Sequence, residues 1–132
     1  MVNAEEIGTD VLIEMLRNGT DGLYYMDAAT RLLSRHRFWL EQKEFRRFVQ
    51  LYDDGSAGIW FERAATALDE GALTAPGFEE SNVLRAAASI ATFYRISLRD
   101  VSERLSPEVM RLVAEAFMEA GGYAQSTAAV RL

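Results

Sequence analysis

The chain has 132 residues, 14 basic and 20 acidic side chains, a net charge of −6 and no cysteine. That length suffices for one domain with a real core. The missing thiols exclude disulfides, thiolate metal centres and a cysteine nucleophile, and the acidic balance disfavours nucleic-acid coating by the whole surface.

The opening MVNAEEIGTD has no basic and no apolar leader region. No apolar run reaches the ~20 residues that span a bilayer. These features predict a cytoplasmic protein without membrane contact. Clusters of Gly and Asp at 19–22, 53–58 and 71–77 divide segments of helical periodicity.

The first predicted helix runs from Ala4 to Arg17, with Asn3 and Glu6 at capping-box spacing and Val11, Leu12, Met15 and Leu16 as its apolar face. Gly8-Thr9 weakens its start, and Asn18-Gly19 ends it. A second helix covers Tyr24 to Ser34. A third is expected from Arg37 to Tyr52, with Phe38, Phe45, Phe48, Val49 and Tyr52 in one stripe. A fourth spans Ile59 to Asp69 and includes Trp60 and Arg63.

The fifth, Glu79 to Tyr94, is apolar around most of its circumference and predicts a central element; exposed, it would offer a self-association face. A short sixth helix covers Leu98 to Leu105. In the seventh, Ser106 is the N-cap, Pro107 the first helical residue and Gly121 the stop. No segment shows convincing strand alternation. The expectation is an all-α domain over residues 1–122, an irregular bundle of six or seven helices, with a weakly ordered tail at 123–132.

Few residues point to chemistry. His36 is the only histidine, so a histidine-rich metal site is excluded, and a lone histidine more often caps or packs than reacts. No metal or cofactor is expected. The doublets Glu5-Glu6, Asp53-Asp54, Asp69-Glu70 and Glu79-Glu80 sit at helix starts and turns, where carboxylates are favoured. Adjacent helical residues point about 100° apart, so these doublets are not expected to face one another. Gly55-x-x-Gly58 lacks the residues of a phosphate loop. No catalytic residues are assigned. Residues 96–120 resemble a helix–turn–helix in outline, but Glu108, Glu115 and Glu119 on the second helix would repel phosphate.

The positive charge is concentrated. Residues 31–52 hold Arg31, Arg35, Arg37, Lys43, Arg46 and Arg47 against Glu41 and Glu44 alone. On a helix, Trp39, Lys43, Arg46 and Gln50 would share one face, and Trp and Arg are favoured at binding hot spots. Arg35, Trp39, Lys43, Arg46, Arg47 and Gln50 therefore form the candidate partner-binding surface. The plainer alternative is solvated packing of Lys43 and Arg46 over a half-buried Trp39.

Leu32-Leu33, Trp39-Leu40, Phe48-Val49, Trp60, Ala67-Leu68 with Gly71 and Leu73, Glu80, Val83-Leu84-Arg85 with Ala87-Ala88-Ser89, Ser97-Leu98 with Asp100, and Ala120-Gly121 together form a pattern. It resembles a recurring type of small helical bacterial protein, over about residues 32 to 122. The resemblance implies a shared helical fold and no chemistry. It departs at Pro76-Gly77-Phe78 and at Thr92–Arg95.

The function expected is non-enzymatic binding of a protein partner through the basic, aromatic face. Nucleic-acid binding by the same face is the first alternative. A small enzyme whose pocket gathers Glu79 or Glu80 with Arg85 and Asp100 is the second, and a homodimer is a further expectation.

Overall fold

The computed structural model describes residues 3–20 and 22–123. A 3-10 turn at Ala4–Glu6 precedes α1 (Thr9–Gly19) and α2 (Tyr24–His36). Two more 3-10 turns, Trp39–Glu41 and Phe45–Phe48, lead into a hairpin of β1 (Val49–Leu51) and β2 (Ala57–Ile59). Then follow α3 (Phe61–Asp69), α4 (Phe78–Ala91), α5 (Leu98–Ser102) and α6 (Pro107–Ala120). The architecture is mostly helical, an irregular bundle as expected, with one small antiparallel sheet. The expected tail lies outside the described residues except for Tyr123.

The core is built around α4. Ala86, Ala87 and Ala88 are fully buried, and α2, α3, α5 and α6 all pack on this helix. Small side chains there let neighbouring helices approach closely. Most of the circumference of α4 is thus enclosed by its neighbours, while Phe78 at its start stays exposed. The second layer of the bundle is the pairing of α2 with α6. As the sequence predicts, Ser106 caps α6 by accepting from Val109 N–H at 3.3 Å, and Pro107 opens it.

The third predicted helix does not form. Trp39, Leu40, Phe45 and Arg46 are all buried, yet at about 100° per residue they would fan around a helix's whole circumference. Tight turns bury them together where a helix cannot. The break comes at Arg37, whose φ of 70° is left-handed and strained for a residue with a Cβ. There Phe38 N–H donates back to the His36 carbonyl at 2.9 Å.

The hairpin was also unanticipated. Val49 pairs with Ile59, Gln50 with Gly58 and Leu51 with Ala57. The five-residue connection between the strands, 52–56, places Gly55 at φ 88°, where glycine is favoured. Asp54 Oδ1 closes the loop by accepting from Ser56 N–H at 2.9 Å and from its hydroxyl at 2.6 Å.

The hairpin leans on the end of α1. A Cβ at Gly19 would fall inside the van der Waals sphere of the Ala57 carbonyl oxygen. In an open helix Gly→Ala gains roughly 1 kcal/mol. Here Gly19→Ala should instead lose about 3 kcal/mol, because a backbone carbonyl in a paired strand has little room to yield. A urea midpoint that falls at constant m checks this.

Candidate functional site

The basic block is divided among three structural roles. Two of its expected contact residues are interior. Trp39 is 1% exposed; its Nε1–H donates to the Glu80 carbonyl at 2.8 Å, and its ring lies edge-on to Phe38, with centroids 5.0 Å apart. Arg46 is 5% exposed. Its guanidinium donates to the carbonyls of Leu40 (2.8 Å), Ala4 (2.9 Å) and Ile7 (2.6 Å), and to the Thr9 hydroxyl (3.1 Å). Neither side chain is available to a partner. Both are core anchors, because an indole and a guanidinium can be buried once their N–H groups find acceptors.

A second group ties helices together. Arg31 pairs with Asp27 at 3.0 Å and with Glu119 at 2.8 Å, while Arg35 reaches Glu119 at 3.2 Å and Glu115 at 3.5 Å. Glu119 is 8% exposed, so it faces inward, contrary to the outward orientation inferred from the sequence. Arg35 is therefore an α2–α6 staple. Arg37 pairs with Asp10 and Glu41.

The third group is exposed: Lys43, Arg47 and Gln50. Arg47 and Gln50 line a groove of about 520 Å³ with Trp60 and Arg63, over Phe48 and β1. The Arg63 guanidinium carbon sits 3.7 Å from the Trp60 ring centroid, and that of Arg47 sits 5.0 Å from the Phe48 ring. Trp60 Nε1–H donates to Gln50 Oε1 at 2.9 Å. Trp60 remains 38% exposed, which leaves its outer surface open to a ligand. Arg47 also donates to the Ala72 carbonyl. Among the described residues neither Arg47 nor Arg63 makes an ion pair. Trp60 and Arg63 are an i, i+3 pair in the sequence, and the structure puts Trp60 at the N-cap of α3 and Arg63 in its first turn. Only the hairpin, which turns Gln50 toward Trp60, makes them part of one surface with Arg47.

A second cluster lies at the junction of α2 and α4. His36 ends α2; Glu79 and Glu80 occupy the first turn of α4. One donor atom from each lies within 4.8 Å of the others. The two glutamates are adjacent, yet both reach His36, which corrects the expectation that such a doublet cannot converge. Flexible side chains at a helix start are not confined to their radial directions. His36 Nδ1 is buried without a hydrogen-bond partner. Burial holds the imidazole below its ordinary pKa, against the opposing pull of the Glu79 and Glu80 carboxylates. Glu79 Oε1 also accepts from Ser106 N–H at 2.9 Å. Arg85, expected near these glutamates, turns instead to Asp69 at 3.0 Å, where the Tyr94 hydroxyl also donates at 2.6 Å.

The interior role of Arg46 has a measurable consequence. Arg46→Met removes the shared donor of the Leu40, Ala4 and Ile7 carbonyls from the interior and should cost about 3 kcal/mol. Arg47→Met, at the surface one residue later, should cost no more than about 1 kcal/mol. Paired urea denaturation curves separate the two.

Among the described residues no helix is long and apolar enough to cross a membrane. No protein-family model, curated protein or solved structure matches the chain.

Proposed function

We propose that the protein is a non-enzymatic cytoplasmic binding module that holds an acidic segment of a partner protein in the groove between Arg47 and Arg63. One observation carries this reading: two guanidinium groups, each stacked on an aromatic ring, flank an exposed Trp60 and have no carboxylate partner of their own. Stacking leaves the N–H edge of Arg63, and the part of Arg47's edge not donated to the Ala72 carbonyl, to engage a carboxylate. The groove offers two positive charges on a protein with a net charge of −6, so a carboxylate-bearing segment is complementary locally and repelled elsewhere. That contrast gives orientation and specificity.

A nucleic acid suits this surface less well. Its backbone is held by many phosphate contacts, and the basic block spends Arg31, Arg35, Arg37 and Arg46 internally.

The test selects displayed random peptides on the full chain, then measures the winners by calorimetry. Enrichment of Asp and Glu is expected. The double variant Arg47→Glu/Arg63→Glu should bind at least about tenfold more weakly while keeping its helical circular dichroism. Arg46 stays out of the reversal set because it is an interior anchor whose loss destabilises the fold. Peptides without acidic bias, or undiminished binding to the double variant, would sink the proposal. A single-stranded oligonucleotide that binds more tightly than any selected peptide, with steep salt dependence, would replace the occupant with nucleic acid.

A further inference from the structure

We propose that His36, Glu79 and Glu80 form a binding site for a first-row divalent transition metal, Zn²⁺ in the first instance, at the junction of α2 and α4. The proposal is independent of the groove. It begins with the convergence of three ligating side chains, whose donor atoms lie within 4.8 Å of one another. Two of them are carboxylates, which only accept when ionised. Bringing two such groups together without a cation is unfavourable.

The second observation is the orphaned imidazole nitrogen. His36 Nδ1 is buried and unpartnered, and such a group costs about 1–3 kcal/mol unless something satisfies it. A metal ion bound through the imidazole accepts a ring-nitrogen lone pair and neutralises the carboxylates in one step.

The surroundings hold the ligands in place. The strained turn at Arg37, with φ 70°, ends α2 directly after His36. The Trp39 indole donates to the Glu80 carbonyl at 2.8 Å and ties the first turn of α4 to the turn after α2. Ser106 N–H, at the start of α6, donates to Glu79 Oε1 at 2.9 Å and leaves that carboxylate's second oxygen for an ion. Contacts of this outer kind orient metal ligands.

The donor set decides the metal class. Ca²⁺ and Mg²⁺ take oxygen ligands, whereas an imidazole nitrogen beside carboxylates suits Zn²⁺ and its neighbours. Around a tetrahedral ion, ligands at about 2.0–2.2 Å lie roughly 3.4 Å apart. The present donors must therefore draw in by up to about 1.4 Å, within reach of glutamate rotamer changes. Three protein donors leave one position for water. The ion would join the end of α2 to the start of α4 and, through Ser106, to α6.

The test uses tag-free, chelator-treated full chain with Zn²⁺, Co²⁺ and Mg²⁺ as separate probes. Calorimetry should show one saturable Zn²⁺ site, with a rise in Tm. Co²⁺ should produce visible d–d absorption, and Mg²⁺ neither effect. Glu79→Gln and Glu80→Gln keep the side-chain shape, and each, compared with its own apo form, should weaken Zn²⁺ binding at least about tenfold. His36→Gln should abolish the Co²⁺ bands, a readout that does not depend on stability. Failure to saturate with Zn²⁺, equal binding of Mg²⁺, or Zn²⁺ binding that survives Glu79→Gln/Glu80→Gln would each overturn the assignment.

Discussion

Arg46 carries a positive charge into the interior with neutral oxygens alone as its hydrogen-bond partners. Its neighbours are three carbonyls and a hydroxyl, drawn from Leu40 on its own segment and from Ala4, Ile7 and Thr9 at the other side of the fold. Desolvating a guanidinium is costly, and burial lowers its pKa accordingly. The cost is offset because all three guanidinium nitrogens meet oxygen acceptors. The segment before α1 is held against the middle of the chain by this one side chain. Residues 39–48 are in turn kept as short 3-10 turns, since Arg46, Phe45 and Trp39 must all reach inward.

The same economy governs the other charges. The basic block looks like a contact surface when counted along the chain, yet half of its cations, Arg31, Arg35 and Arg37, are paired with acids, each with at least one from another element. Asp27 from α2 and Glu115 and Glu119 from α6 receive Arg31 and Arg35, while Asp10 from α1 receives Arg37. Glu119 is the inward end of this network, shared by two arginines. Its burial makes the pairing geometry matter more than it does for the exposed pairs. Among the described residues, only Lys43 and Arg47 of the block remain free of carboxylate partners at the surface, and Arg47 joins Arg63 from a different element.

Much of the helical framework was legible in the chain. α6 announces itself through Ser106, Pro107 and a clean apolar stripe, and α4 through its continuous small and apolar residues. Local signals sufficed there because the caps and periodicity agree with the tertiary packing. Residues 37–52 were misjudged because Phe38, Phe45, Phe48, Val49 and Tyr52 happen to fall at helical spacing, while the left-handed conformation of Arg37 has no sequence signature. The hairpin had one: Asp54-Gly55 between Val49-Gln50-Leu51 and Ala57-Gly58-Ile59 is a turn flanked by short strands, but the strands are too short for alternation to stand out. The cluster of His36 with Glu79 and Glu80 joins positions far apart in the chain, and no local pattern encodes that meeting. The groove is intermediate, since Trp60 and Arg63 are local neighbours but Gln50 and Arg47 reach them only through strand pairing.

The two tryptophans occupy opposite environments. Trp39 is enclosed, with its indole N–H on the Glu80 carbonyl; Trp60 stands at the surface under Arg63. The protein thus carries two intrinsic fluorophores. The enclosed indole should emit at shorter wavelength and resist aqueous quenchers, and it reports on the packing where α2 meets α4. The exposed one should emit to the red and be readily quenched, and it reports on the groove. Light from a single unlabelled chain therefore separates events in its interior from events on its binding surface.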